Sequence, residues 1–176
     1  MAKVNNVNVD ALEKVASDIR QDPAKGRRTT RVEGAWNLAV DKPQFSSEVS
    51  FEGGKLILEA DQPSFQGGEG RRPGPMHYAL FGLASCFTAT FVSMASMQGI
   101  QLNEVRAAAE FGLNFSKVFG ISEDPIVEEV RVNLSVRSPA IREKVEEVLR
   151  LAEERCPVAY CLTNPIRLVA KVEMIA

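Results

Sequence analysis

Two cysteines that lie 70 residues apart carry the side chain best suited to chemistry in this chain. Cys86 lies inside an uncharged, largely apolar run, whereas Cys156 opens the segment Cys156-Pro157-Val158 directly after a highly charged stretch. A thiolate is a strong nucleophile, and two thiols that meet can form a disulfide. If the two cysteines meet in space, the chain is a thiol-dependent enzyme. If they do not, it is a small α+β protein with ordinary buried cysteines.

The two cysteines differ in how a thiolate could form. Cys86 falls in the middle of a predicted helix. There it is either a small core residue, as most free cysteines are, or a nucleophile that needs a nearby cation or hydrogen-bond donor. Cys156 precedes Pro157, which suits the first position of a helix, so Cys156 takes the N-cap position. Backbone N–H groups and the positive helix end then stabilise a thiolate, and Arg155 adds a cation. A capping or buried role without reactivity is the alternative for Cys156.

Other candidate residues carry weaker signals. Cys161 lies five residues after Cys156, does not share a face with it in an ideal helix, and is predicted to be a core residue. His77 is the single histidine and is either a base near the start of the central helix or a packing residue. One histidine and three scattered cysteines lack the spacing of a zinc site, so no metal is expected.

A glycine-rich loop precedes the central helix. It reads Gly67-Gly68-Glu69-Gly70-Arg71-Arg72, as a phosphate-binding loop could, but it lacks the Lys-Ser/Thr ending of a P-loop and the dinucleotide fingerprint. We interpret it as a flexible active-site loop.

The composition suits one globular domain with a substantial core, since the 176 residues carry a net charge of -2 and are 45% hydrophobic. Charges of both signs are well mixed, so nucleic acid is a poor partner. An odd cysteine count and an N-terminus without an apolar signal core predict a cytoplasmic protein. The uncharged run from Pro73 to Asn103 is long enough for a bilayer, but its small and weakly polar residues favour a helix buried among protein neighbours.

The hydrophobic patterns predict a helical extension over residues 1–26, in which Asp10 caps the helix, followed by a main domain over residues 27–176. Strands and helices do not alternate singly, which favours a mainly antiparallel α+β fold. Predicted strands cover residues 30–40, 45–51, 56–60, 105–115, 130–136 and 168–174.

Turn and capping residues place the remaining elements. Gly53-Gly54 predicts a two-residue hairpin turn. Residues 76–98 are predicted to form a central buried helix that Gly99 ends. Ser138-Pro139 predicts the start of a charged amphipathic helix, and a short last helix is expected between Cys156 and Asn164-Pro165.

Two segments resemble the signature regions of the OsmC/Ohr superfamily of osmotically inducible and organic hydroperoxide resistance proteins. They are the run from Pro75 to Phe87 and the segment Cys156-Pro157-Val158. The loop residues Asp61-Gln62-Pro63 and Gly67-Gly68 are also similar to that family, and the likeness covers residues 30–176. The resemblance implies an OsmC-like fold with a central buried helix, in an intertwined homodimer whose chains share each sheet and each active site.

The resemblance also implies a thiol-dependent peroxidase that acts in oxidative or osmotic stress. Cys86 would attack the peroxide O–O bond and become a sulfenic acid, and Cys156 would condense with it to a disulfide. A small-molecule peroxide is the implied substrate and an external thiol or dithiol the reductant, with no cofactor and no membrane or nucleic-acid partner.

The sequence departs from the family at one position. The peroxidases carry a glutamate after the proline that begins the central helix, and here Met76 follows Pro75. They also carry an arginine that aligns with no single residue here. Arg71 or Arg72 could take its place, and Glu69 or His77 could replace the glutamate. The pattern is similar to the less characterised OsmC-like subgroup rather than to Ohr. The alternative function is therefore a catalytically weak or non-enzymatic dimer that binds a small apolar ligand.

Overall fold

The computed structural model describes residues 3–174, and they divide into two compact units. The first unit is Asp10–Gly82, and the second joins residues 3–9 to residues 83–174. All strand pairs that form in either unit are antiparallel, as the sequence predicts for an α+β fold.

The first unit contains a helix, a three-stranded sheet and the start of the long second helix. The elements of this unit are α1 (Val9–Gln21), β3 (Gly34–Trp36), β4 (Phe45–Phe51), β5 (Gly54–Ala60) and the first residues of α2 (Pro75–Met97), with short 3-10 helices at Pro23–Gly26 and Ser64–Gln66. The sheet has the strand order β3-β4-β5.

Three details of this unit differ from the sequence prediction. The first helix begins at Val9, so Asp10 lies in its first turn rather than at the cap. Strand β3 is only three residues long, instead of the predicted 30–40. Phe51 pairs with Gly54, so the hairpin turn is Glu52-Gly53, one residue earlier than predicted. Gly54 itself has φ 145° and begins the returning strand, because glycine accepts this backbone conformation without strain.

The second unit contains an N-terminal hairpin, a two-stranded sheet and two helices besides the rest of α2. The sheet pairs Glu104 with Arg137 at one end and Phe111 with Val130 at the other. Its elements are β1 (Lys3–Val4), β2 (Val7–Asn8), β6 (Glu104–Phe111), β7 (Val130–Arg137), α3 (Arg142–Arg155) and α4 (Pro157–Thr163).

The core of this unit lies between α2, α3 and the face of the β6–β7 sheet. Its fully or nearly fully buried side chains are Phe87, Phe91, Ala95, Ile100, Val148, Ala152 and Cys156. The α3 residues of the cluster are four apart, so one helical face enters the core while the charged face stays in solvent. Val132, Leu134 and Val136 of β7 pack against the cluster from alternate strand positions.

Helix α2 has the length and apolar composition that a bilayer span requires. These properties also suit the central helix of a globular core. Five of its residues are buried in the protein: Leu83, Phe87, Phe91, Ala95 and Ser96. Phe87, Phe91 and Ala95 of these belong to the second unit's core.

Two predictions for the C-terminal part are wrong. Helix α3 begins at Arg142 with Ile141 as N-cap, not at Ser138-Pro139. The Ser138 hydroxyl instead donates to the Gln101 carbonyl and accepts from Ala140 N–H, so it fixes the chain after β7. The predicted last strand over 168–174 does not form, because that segment has no pairing strand within residues 3–174.

Asn5 ties the N-terminal hairpin to the end of α2. It has φ 51°, a left-handed conformation that asparagine tolerates well. Its amide nitrogen donates to Ser96 Oγ at 3.1 Å and to the Ile100 carbonyl at 2.8 Å, and its amide oxygen accepts from Leu102 N–H at 2.8 Å. One side chain therefore satisfies polar groups of the turn between α2 and β6.

We expect Asn5→Ala to destabilise the protein by about 1–3 kcal/mol, because the buried partners of the amide lose their hydrogen bonds. Urea unfolding followed by circular dichroism measures the loss. Asn6→Ala is the matched control, since Asn6 shares the left-handed backbone, with φ 64°. A loss as large in Asn6→Ala as in Asn5→Ala would show that the backbone conformation, rather than the three hydrogen bonds, sets the effect.

Candidate thiol site

Cys86 lies in the middle of α2, on the side of the helix that faces the second unit's core. Its neighbours Leu83 and Phe87 are buried, and Cys86 itself is partly buried and packs against the core cluster. An apolar helix therefore holds this thiol at the edge of the hydrophobic interior.

Cys156 lies at the junction of α3 and α4 and is 0% exposed. It is the C-cap of α3 and the N-cap of α4, with Pro157 at the first helical position, as predicted. Ala159 N–H donates to Cys156 Sγ at 3.5 Å, so the sulfur takes the role that an oxygen has in an ordinary N-cap. The guanidinium of the neighbouring Arg155 donates to Met94 Sδ at 3.7 Å.

The two sulfur atoms are in contact. Cys156 Sγ lies 3.6 Å from Cys86 Sγ, within hydrogen-bonding distance for thiols, and both thiols are free. A disulfide requires an S–S distance of about 2.05 Å, so the sulfurs must approach by roughly 1.5 Å. This arrangement lets an electrophilic sulfur on one residue be attacked by the thiol of the other.

Burial raises the pKa of the Cys86 thiol above that of a free cysteine, because a thiolate is poorly solvated at the core edge. A hydrogen bond from the backbone of Val158 lowers this pKa, while the side chains of Cys156 and Cys161 raise it. The net direction is upward. The sequence predicted that a reactive Cys86 needs a nearby donor or cation. The backbone of Val158, the second residue of α4, lowers the pKa of Cys86 by less than burial raises it.

Cys161 is exposed on α4, so the prediction that it is a core residue is wrong. Helix α4 spans only seven residues and has no buried residues. The apolar composition around Cys161 does not distinguish an exposed short helix from a buried one.

Glu69 and Arg71 are brought together in the loop of the first unit. Their side chains form an ion pair. Arg71 also donates from its guanidinium to the Val40 carbonyl at 3.1 Å and from its backbone N–H to Asp61 Oδ2 at 3.0 Å. Asp61 is buried, so this loop has an internal polar anchor.

Arg72 and His77 make separate contacts in the same unit. Arg72 Nε lies 2.7 Å from Glu59 Oε2, and that hydrogen bond raises the pKa of the guanidinium further. His77 is in the first turn of α2, where its backbone N–H donates to the Gly74 carbonyl. A supporting role of Glu69, Arg71, Arg72 and His77 in thiol chemistry stays a prediction.

A cavity of about 670 Å³ opens beside the helices that carry the thiols. Leu83 and Phe87, which flank Cys86 in α2, form its apolar wall together with Leu162 of α4. Glu128, Glu129 and Glu153 also line it. Glu129 is paired with Arg131, and this contact lowers the pKa of the carboxyl group.

Sequence reasoning missed these acidic lining residues and the Val158 backbone donor. The Glu128-Glu129 pair directly before a clear strand pattern was an available signal, because residues at a strand end can line a cavity. The backbone donor carried no signal in side-chain types. Among residues 3–174, no group of three or more histidine, cysteine, aspartate or glutamate side chains is arranged to hold a metal ion.

Comparison with known proteins places the chain in a family. The family model for OsmC-like proteins matches residues 68–171, which include both Cys86 and Cys156. The chain belongs to this family. No curated protein sequence matches the chain at a significant level.

Solved structures share the fold. An OsmC-like protein from Mycoplasma pneumoniae is 21% identical with a TM-score of 0.56, and the match covers 77% of this chain and 87% of that one. An organic hydroperoxide resistance protein OsmC from Legionella pneumophila is 20% identical with a TM-score of 0.54, covering 78% and 92%. An organic hydroperoxide resistance protein from Elizabethkingia anophelis is 16% identical with a TM-score of 0.54, covering 78% and 91%. These likenesses establish the OsmC-like fold.

The raised pKa of Cys86 predicts a reactivity that increases with pH. The thiolate fraction at pH 7 should lie below that of a free cysteine, and alkylation by iodoacetamide should keep accelerating beyond about pH 8.5, the ordinary thiol value. Peptide mass spectrometry of timed labelling reactions between pH 6 and 10 follows Cys86 separately, with N-acetylcysteine as the reference. A rate that levels off at or below pH 7 would contradict the prediction.

Proposed function

We propose that the protein reduces hydroperoxides by means of the Cys86 and Cys156 thiols. The observation that carries the proposal is the 3.6 Å contact between the two sulfur atoms. Membership of the OsmC-like family supports a redox or stress role, and relatives of the same fold are named organic hydroperoxide resistance proteins. A cytoplasmic role in oxidative or osmotic stress is part of the proposal.

The reaction runs in three balanced steps. The Cys86 thiolate attacks one peroxide oxygen, the O–O bond breaks, and the alkoxide leaves and takes up a proton as the alcohol. The Cys156 thiol then attacks the sulfur of the Cys86 sulfenic acid, which forms the disulfide and releases water. An external dithiol finally reduces the disulfide and is itself oxidised. No cofactor takes part in these steps.

The chain's own groups favour the second step over the first. Cys156 Sγ is held next to Cys86 by its capping hydrogen bond from Ala159, so the resolving attack needs little rearrangement. Burial disfavours the Cys86 thiolate, and Val158 N–H supplies its backbone donor. We therefore propose a peroxidase that is slow at neutral pH, in accord with Met76 in place of the family glutamate.

We further infer that the working form is a homodimer. Large apolar side chains lie in solvent in the single chain, among them Trp36 at 56% and Leu38 at 91% exposure. The C-terminal segment alternates apolar residues and has no pairing strand in the part of the chain that the structure describes. Leu168, Val172 and Met174 of this segment are 88–91% exposed. An alternating segment of this kind can add to a sheet edge of a second copy and bury both surfaces.

The second candidate function is binding of a small apolar ligand without turnover. It is favoured by the cavity of about 670 Å³ with Leu83 and Phe87 in its wall, and by the raised pKa of Cys86. In this case Cys86 would take no chemical part, and the ligand would lie against its neighbours Leu83 and Phe87. A ligand that co-purifies with the protein and is retained in Cys86→Ser would favour this function.

We expect one equivalent of cumene hydroperoxide to consume two thiols per chain and to leave a Cys86–Cys156 disulfide, because the neighbouring thiol traps the sulfenic acid. Thiol titration and non-reducing peptide mapping measure both quantities, and alcohol production measures the peroxide consumed.

The variants separate the two roles. Cys86→Ser should abolish peroxide consumption, whereas Cys156→Ser should consume peroxide once and retain a Cys86 sulfenic acid that dimedone traps. Absence of both peroxide consumption and the Cys86–Cys156 disulfide in the wild-type protein would reject the peroxidase proposal in favour of ligand binding.

A further inference from the structure

The cavity of about 670 Å³ lies within the second unit and shares wall residues with the thiol contact. Ala159 of α4 lines the cavity, and its backbone N–H donates to Cys156 Sγ at 3.5 Å. Leu83 lines it from α2 and precedes Cys86 by three residues, so these two side chains are neighbours on one helix face. The cavity therefore opens beside the sulfur pair.

Apolar side chains form one part of the cavity wall. They are Leu83 and Phe87 of α2, Val130 and Val132 of β7, and Leu162 of α4. An organic molecule that enters gains free energy by removing its carbon skeleton from water against such a wall. The volume is also in the range of small-molecule sites. This part of the wall suits the apolar body of a ligand, whatever charge the ligand carries.

Carboxylates form the other part of the wall. Glu128, Glu129 and Glu153 line the cavity, and the described residues that line it include no lysine, arginine or histidine. Glu129 is paired with Arg131 at 2.8 Å. Within residues 3–174, neither Glu128 nor Glu153 forms a salt bridge. The cavity therefore has two negative charges without a basic partner beside its apolar wall.

The two unpaired carboxylates come from separate elements. Glu153 lies in the last turn of α3, three residues before Cys156, and Glu128 lies in the chain just before β7. A cleft with charges of one sign and low-dielectric walls focuses the electric field, which lowers the local concentration of like-charged molecules. An anion that approaches the sulfur pair through this cavity is repelled from two elements of its wall.

We propose that hydroperoxides reach Cys86 through this cavity and that Glu128 and Glu153 select against substrates with a carboxylate or another negative group. The substrate class is an uncharged hydroperoxide with an apolar body. This inference rests on the proposed function, because it names the substrate class of the peroxidase reaction. The two glutamates are specificity-determining residues that act through their charge on the entering molecule.

The first experiment compares two alkylating reagents that differ in charge and need no peroxidase activity. Iodoacetamide is neutral and iodoacetate is anionic, and peptide mass spectrometry follows the labelling of Cys86 by each at one fixed pH. The ratio of the two rates cancels any change in the pKa of Cys86. The same ratio for N-acetylcysteinamide gives the intrinsic difference between the reagents.

We expect wild-type Cys86 to favour iodoacetamide about tenfold more than the reference thiol does, since each nearby carboxylate changes the rate of an anion about threefold in a solvent-like dielectric. Glu153→Gln and Glu128→Gln should each reduce this preference about threefold. Raising the salt from about 0.1 M to about 1 M should also reduce it, because the screening length falls from about 10 Å to about 3 Å.

Glu154→Gln is the matched control. It removes the same charge from the next position of α3, and Glu154 is exposed but does not line the cavity. We expect it to keep the wild-type preference. A wild-type preference equal to that of the reference thiol would overturn the proposal. An equal loss in Glu154→Gln and Glu153→Gln would overturn it too, because net charge rather than the cavity would then set the effect.

The second experiment compares cumene hydroperoxide with its para-carboxylated derivative, which has the same ring and reacting group. The reduced wild-type protein should consume the neutral peroxide about tenfold faster, and Glu153→Gln should narrow this difference about threefold. Equal consumption of both would overturn the substrate class while the peroxidase proposal stands. Consumption of neither would reject the peroxidase proposal and the substrate class with it, whereas the alkylation ratio shows separately whether the cavity selects by charge.

Discussion

The contact between Cys86 and Cys156 depends on a single packing arrangement, the docking of α3 against α2 in the core of the second unit. Val148 and Ala152 of α3 belong to the same buried cluster as Phe87 and Phe91 of α2. The next residue in that four-residue periodicity is Cys156, which therefore enters the same core at the end of the helix. Van der Waals packing of apolar side chains thus fixes the distance between the two thiols.

The same burial that brings the sulfurs together limits their reactivity. A thiolate at the core edge loses solvation, and the hydrogen bond from the backbone of Val158 restores only part of it. In the proposed reaction, the sulfur contact favours the resolving step, whereas the raised pKa of Cys86 slows the first step at neutral pH.

Much of the fold followed from local patterns. The central helix, the β4–β5 and β6–β7 strands and the Cys156-Pro157 helix start were predictable, since their signals are short-range: apolar periodicity, proline at the first helical position and glycine after a helix. The errors concern signals that depend on distant partners. The Ser138 hydroxyl was predicted to cap a helix but instead donates to the Gln101 carbonyl. Residues 168–174 alternate like a strand but have no strand to pair with within residues 3–174. Cys161 was misplaced because composition does not reveal which turn of a short helix is covered.

The sequence by itself determined the family and the candidate site residues Cys86 and Cys156, because the segments around these cysteines resemble the family's signature regions. It also determined the antiparallel α+β class, because hydrophobic periodicity is a property of the chain alone. Only the tertiary structure decided that the two sulfurs lie 3.6 Å apart, that burial raises the pKa of Cys86 and that Cys161 is exposed. Distance, desolvation and exposure depend on which elements pack together, and residues 70 positions apart in the chain carry no record of that packing in their spacing.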